Sequence, residues 1–248
     1  MSKRVAFVTG GNGGIGSAIC RELAAQGHVV VAGYFPPEKE SAEAWQKQMQ
    51  EQGSTIALCA LDVADFADCE RAVAQITDEF GSVDILVNCA GITRDGTLKK
   101  MPEANWKAVI ATNLDSAFNV TRHVINGMLD KGWGRIINIA SVNGQRGQFG
   151  QANYSAAKAG MHGFTMAVAL ETAAKGITVN TVSPGYISTA MTEAMPEDVL
   201  KSIVNSVPMR RMGKPEEIAN AVAWLASEGN GYTTGANIPV NGGLFTSH

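Results

Sequence analysis

A short apolar run, Val5-Ala-Phe-Val8, ends in Thr9-Gly10-Gly11-Asn12-Gly13-Gly14-Ile15-Gly16 and passes into a helical pattern with Ile15, Ile19 and Leu23 on one face, stopped at Gly27. No other stretch restricts the fold so strongly. Glycines let a backbone turn tightly between strand and helix. They also leave the first N–H groups and the positive end of the helix free to stabilise a phosphate. A glycine cluster alone is a weak signal, and its position directly after the first strand is what gives it weight.

The rest of the chain repeats the strand-then-helix alternation. Further strand-like runs stand at His28–Ala32, Ile56–Ala60, Val83–Asn88, Arg135–Ala140, Ile177–Val182 and Asn237–Val240. Between them lie helical patterns marked by Ala42, Trp45 and Met49, by Cys69, Val73, Ile76 and Phe80, and by a long series from Glu103 to about Lys131. Pro215 sits where a last helix starts. Seven runs in this order predict an α/β fold, a Rossmann-type doubly wound parallel sheet with helices on both faces. No Pro/Gly/Ser linker interrupts it, so residues 1–248 read as one domain, with a substrate lid at roughly 187–213. Met191 and Met195 in that segment suit either an adaptable lid or core filling.

Composition narrows the function classes. A hydrophobic share of 45%, a charged share of 17% and a net charge of -3 without a basic block argue against nucleic acid as a partner. The Lys3-Arg4 pair reads as the solvated start of a strand. No apolar run is long enough for a membrane span and no signal-peptide order opens the chain, so a cytoplasmic location is expected. Cys20, Cys59, Cys69 and Cys89 lack CxxC spacing and read as packed thiols. His28, His123, His162 and His248 are scattered, and no metal site is suggested.

In a doubly wound sheet, ligands lie beyond the carboxyl ends of the strands. Thr9, Asp62, Asn88, Ser141 and Ser183 follow or close such strands, so one rim gathers them. After Ser141 comes a Gly/Gln loop and then Tyr154 and Lys158, four residues apart. On a helix that spacing puts both on one face, where the ammonium would lower the phenol from its ordinary value near ~10 and make it a usable proton donor. The same pair could equally be an exposed helix pair, and its neighbours have to decide. Asp62 could accept from an adenine amino group or serve as a turn or capping acid. Asn113, among apolar residues, needs partners, and either caps a strand or serves a site. Gly33 and Tyr34 end the second strand without the acid that binds a ribose 2′-hydroxyl and repels a 2′-phosphate, so NADP(H) is permitted. Ala156, Gly160, Gly163 and Ala167 form a row of small residues that allows close helix packing, within the chain or between copies.

Thr9-Gly10 with Gly14-Ile15-Gly16, Asp62-Val63, Asn88-Cys-Ala-Gly91, Asn113, Ser141, Tyr154 with Lys158, and Pro184-Gly185 together make the chain resemble the short-chain dehydrogenase/reductase family over essentially its full length. Two departures are Cys89, where many members have a second Asn, and Gly11, where NADPH users often have a basic residue.

The resemblance implies a catalytic set of Asn113, Ser141, Tyr154 and Lys158. Tyr154 would protonate a carbonyl oxygen that Ser141 holds, Lys158 would bind the nicotinamide ribose, and Asn113 would hold a water linking Lys158 to solvent. For the coenzyme it implies Thr9, Gly10, Asn12, Gly14, Ile15 and Gly16 in the first turn, then Gly33 and Tyr34, Asp62 and Val63. Farther along it implies Asn88, Ala90 and Gly91, the pair Tyr154 and Lys158, and finally Pro184, Gly185, Ile187 and Thr189. NADPH is the expected coenzyme, with NADH or dual use as the alternative.

Within the family, Ile92-Thr-Arg-Asp95, Asn143 to Tyr154 and Ser183-Pro-Gly-Tyr186 most closely resemble the acetoacetyl-CoA reductases of polyhydroxybutyrate synthesis. Asp95, Gln148, Phe149, Gln151 and Tyr186 would then contact a short 3-oxoacyl-CoA, an acyl-CoA substrate. The alternatives are a reductase of acyl-carrier-protein thioesters in fatty acid synthesis and, more remotely, a non-catalytic cofactor-binding sensor. A homotetramer is also implied.

Overall fold

The structure, a computed structural model, describes residues 3–189, 192 and 196–246. Its strands are β1 (Val5–Thr9), β2 (Val29–Tyr34), β3 (Ile56–Ala60), β4 (Ile85–Asn88), β5 (Gly134–Ile139), β6 (Ile177–Pro184) and β7 (Asn237–Val240). They form one sheet in the order β3-β2-β1-β4-β5-β6-β7 with every pairing parallel. Strand order reverses between β1 and β4, which leaves a crevice at the carboxyl ends of those two strands.

Two helical layers cover the sheet, and strand periodicity sorts the apolar residues between them. From β1, Ala6 and Val8 join Ile19 and Leu23 of α1 (Gly14–Ala25) and Val222 and Leu225 of the helix Pro215–Ala226. Val5 and Phe7 point the other way, to Val73 and Ile76 of α3 (Phe66–Phe80) and to Val120, Val124 and Met128 of α5 (Ser116–Lys131). Covering on both faces explains why all five residues of β1 and all eight of β6 are buried. The remaining early helix, α2 (Lys39–Glu51), packs Met49 on the first layer.

The amino ends of the strands are tied by one buried acid. Asp84 accepts from the Val5 N–H (2.9 Å) and from the Lys131 ammonium (2.6 Å). Arg4 is not simply the solvated start of a strand: its guanidinium lies 3.9 Å from the Trp133 ring centroid and 3.2 Å from Glu228. An apolar stem with a charged head can satisfy both surfaces at a sheet end.

Two local departures from the expected elements lie near the carboxyl rim. The helical pattern from Glu103 runs through α4 (Glu103–Ile110) and α5, but Ala111–Asp115 between them is a π turn that contains Asn113. The stretch expected as a Gly/Gln loop starts as a helical turn, α6 (Val142–Arg146). Ser141 caps it by accepting from the Asn143 N–H (3.1 Å), and Gly147 ends it at a φ of 72°. The helix α7 (Ala152–Thr172) then carries Tyr154 and Lys158. Beyond β6, Ile187 pairs with Gly213 and brackets the helix Glu197–Ser206. Met191, Met195 and His248 lie outside the described residues.

Candidate active site

The site is built where β5 ends and α7 begins. Ser141 follows β5 in extended backbone, and its hydroxyl favours the ionised form of the Tyr154 phenol. Because the Ser141 oxygen already accepts the capping N–H, its own hydrogen is left for an oxygen in front of it. One turn along α7, the Lys158 ammonium donates to the Ile139 carbonyl at 2.7 Å and lies 5.8 Å from the Tyr154 ring centroid. Lys158 is only 3% exposed. Gly91, at the end of β4, comes against it: a Cβ there would stand 3.6 Å from the ammonium and 3.5 Å from Asn113 Oδ1.

Asn113 is fully buried and both ends of its amide are used. Its Oδ1 accepts from the Ile92 N–H (2.8 Å) and its Nδ2 donates to the Ile92 carbonyl (2.9 Å). This pins the loop after β4 to the π turn. π turns release main-chain groups from the regular ladder and recur at functional sites.

The first turn fits a dinucleotide phosphate. Gly13 precedes α1 without a side-chain cap, and the first turn of that helix carries no acid, so its N–H groups face outward unopposed. A Cβ on Gly16 would stand 2.1 Å from the Gly10 carbonyl oxygen, and one on Gly14 would stand 2.8 Å from Thr189, so the cradle admits backbone only. Gly11 is equally constrained: its Cβ would meet Ala32 at 2.6 Å and Cys20 at 3.1 Å. No basic side chain can stand there without moving β2. Thr9 accepts from the Cys89 and Ala90 N–H groups at 3.0 and 3.1 Å and so joins the ends of β1 and β4.

Other expected residues are held in structural bonds. Asp62 accepts from the Ala64 N–H (2.9 Å), which is the turn role, while Asp65 caps α3. Val63 offers its carbonyl to Asn119. Asn88 donates to Asn138 (2.8 Å), which donates to Thr165 (2.8 Å). This buried chain links β4, β5 and α7. Asn138 and Thr165 escaped the sequence reading, although an Asn within the apolar run of β5 was a signal of it. At the far rim, Gly185 closes on Asn241, and the Thr189 N–H donates to Thr192.

The five expected substrate residues divide. Gln151 donates to Asp95 (2.9 Å) and accepts from Asn143 (3.0 Å). Gln148 accepts from Arg146, and Phe149 is 88% exposed. Tyr186 lines a cavity of about 260 Å³ with Ile187, Met209 and Asn241, to which Ser141 and Tyr154 do not contribute.

Comparison with known proteins decides the family. Residues 10–245 match a family model described as enoyl-(acyl carrier protein) reductase. The acetoacetyl-CoA reductase of Allochromatium vinosum is 62% identical over 98% of both chains, and that of Cupriavidus necator 56% identical over 98% of this chain and 99% of its own. A 3-oxoacyl-[acyl-carrier-protein] reductase of Haemophilus influenzae is 44% identical over both full lengths. The chain belongs to the short-chain dehydrogenase/reductase family.

The electrostatics of this short-chain dehydrogenase/reductase differ in one respect from the simple Tyr/Lys picture. Burial pushes the Tyr154 phenol above its ordinary value, the Ser141 hydrogen bond pulls it back, and Cys89 and Asp95 add small upward pushes. Burial also pulls the Lys158 ammonium, which donates to the Ile139 carbonyl, down to about 8. The free protein therefore holds Tyr154 as a neutral phenol. Cys89, the departure beside this pair, is pushed up to about 11 by burial and stays a thiol.

Lys158 also ties stability to pH. Its folded value of about 8 lies below the ordinary 10.5, so between these values the unfolded chain binds more protons and stability rises with pH. Below pH 8 the folded state carries the whole cost of the buried charge. Lys158→Met is expected to be more stable than wild type at pH 7, by up to about 3 kcal/mol. That advantage should shrink between pH 8 and 10 in urea unfolding. A difference independent of pH would contradict this.

Proposed function

We propose that the chain reduces acetoacetyl-CoA to (R)-3-hydroxybutyryl-CoA with a nicotinamide coenzyme, in polyhydroxybutyrate synthesis. The observation that carries the reading is Tyr154 and the buried Lys158 ammonium on one face of α7, with the ammonium 5.8 Å from the Tyr154 ring centroid and held on the Ile139 carbonyl, at the end of the strand that Ser141 follows. The names of the 62% and 56% identical relatives support the substrate. When bound, the coenzyme supplies the hydride for the carbonyl carbon. Ser141 donates to the carbonyl oxygen as its charge grows, and Tyr154 gives that oxygen its proton. Lys158 holds the nicotinamide ribose. Since the Asn113 side chain is committed to Ile92, a water in this site would be held by main-chain groups of its π turn.

Reduction of a carrier-protein thioester is the alternative that the Haemophilus influenzae relative favours. An acidic carrier would seek free cations. In the turn before β5, Lys131 is bound to Asp84 and the Ser82 carbonyl. That cation is therefore not free for a carrier, and the preference for the CoA thioester is carried by the names of the 62% and 56% identical relatives. Acetoacetyl-CoA should exceed the matching carrier-protein thioester in kcat/KM, and Tyr154→Phe should abolish turnover while coenzyme still binds. Equal or better use of the carrier protein would overturn the substrate, and turnover by Tyr154→Phe would overturn the mechanism.

Two observations bear on the coenzyme. The end of β2, with Gly33 and Tyr34, lacks an acid, which supports NADPH. Glu38 favours NADH: its carboxylate accepts from the Asn12 amide of the glycine turn at 3.2 Å, and a 2′-phosphate brought there would meet a like charge. Our reading is dual use, with the ratio set by Glu38. Glu38→Gln should raise kcat/KM for NADPH relative to NADH about tenfold. An unchanged ratio would remove Glu38 from coenzyme selection.

The protein is further read as a single-domain cytoplasmic homotetramer, with 187–213 as its lid. Among the described residues, no helix is long and apolar enough to cross a membrane. In support of assembly, Phe118, Met166 and Leu170 are exposed on α5 and α7, and no atom lies within 4 Å of a Cβ added at Gly163. Gly160 is different, because its Cβ would strike Leu114 of the π turn at 2.8 Å, so that glycine serves packing within the chain.

A further inference from the structure

Asp95, Gln151 and Asn143 form a hydrogen-bonded chain that runs from the surface to the residue beside Ser141. Asp95 is exposed, Gln151 is half-buried and Asn143 is 9% exposed. The loops that carry the first two are joined by the Gly96 N–H donating to the Gly150 carbonyl (2.8 Å) and by the pairing of Gly96 with Gln151. An ionised carboxylate only accepts, so it fixes the direction of everything behind it. Gln151 must turn its NH₂ to Asp95 (2.9 Å), which leaves Oε1 to Asn143. Asn143 must then turn its NH₂ to Gln151 (3.0 Å), which leaves Oδ1 as an acceptor. That Oδ1 is buried and has no hydrogen-bond partner in the protein. A buried acceptor left without a donor carries a real cost, which a buried water, or a ligand group that displaces it, would remove.

The acceptor belongs to a residue whose own N–H caps Ser141, which places that residue beside the hydroxyl that would hold the substrate carbonyl. The acetoacetyl group offers only oxygens, which are acceptors themselves. The first donor along such a thioester is the amide N–H of the pantetheine arm nearest the sulfur. We propose that Asn143 Oδ1 accepts this amide N–H, and that Asp95, acting through Gln151, is the positioning residue that turns Asn143 the right way round. The inference rests on the 3-oxoacyl thioester reading above and adds to it a contact that selects the arm.

The test pairs enzyme variants with a substrate change. Acetoacetyl-pantetheine is compared with the analogue in which the amide nearest sulfur is an ester, so that N–H becomes O. In wild type the amide should be favoured about tenfold in kcat/KM, because the ester loses the donor and leaves Oδ1 unpaired. Asn143→Ala should bring the ratio close to one. Asp95→Lys should do the same with Asn143 intact: a lysine only donates, so Gln151 and then Asn143 reverse and present NH₂ where Oδ1 stood. Asp95 is exposed, so this second variant still reports if Asn143→Ala fails to fold. A ratio near one in wild type, or a tenfold ratio kept in both variants, overturns the proposal while turnover of the amide leaves the thioester reading standing. Turnover of neither compound by wild type overturns that reading, and this one with it.

Discussion

The Lys158 ammonium on the Ile139 carbonyl is the contact on which the site depends. It places a cation, almost without exposure, where the ends of β4 and β5 meet α7. Its neighbours are shaped to admit it. Gly144 lets α6 cross close over α7, since a Cβ there would stand 2.7 Å from the Lys158 carbonyl carbon. Burying the charge costs stability, as its lowered value records. That cost is the mark of a site arranged for chemistry instead of for maximum stability.

Around this point the work is divided among elements of different stiffness. The glycine turn and α1 present backbone N–H groups, Thr9 joins β1 to β4, and the chain from Asn88 through Asn138 to Thr165 ties β4 and β5 to α7. These rigid parts position Ser141, Tyr154 and Lys158. The loops around Asp95 and Gln151 are joined by only a few bonds at the surface, where differences in substrate can be read without disturbing the chemistry.

Much of this was legible in the sequence for physical reasons. The seven strands announce themselves because both faces of a parallel sheet are covered, and the glycine turn because only backbone fits between Gly16 and Gly10. What escaped leaves no mark on the spacing of apolar residues. The π turn at Asn113 does not break the apolar series through α4 and α5, so it is invisible as periodicity. The capping of α6 by Ser141 hides among glycines and glutamines. Glu38 reaches Asn12 only once α2 and the glycine turn stand side by side. The spacing of Tyr154 and Lys158 was read correctly as one helical face. In the coenzyme-free protein burial pushes the Tyr154 phenol upward, an effect that spacing does not carry.

The central claim is that the free protein keeps Tyr154 neutral, as a proton donor, because burial outweighs the opposing pull of Ser141. NMR titration of the protein labelled with ¹³C at the tyrosine Cζ, with Tyr154 assigned by its loss in Tyr154→Phe, measures this directly. The Tyr154 resonance should titrate above the ordinary phenol value near ~10, and replacing Ser141 with Ala should move it higher still. A midpoint well below ~10 in the coenzyme-free protein would contradict the account.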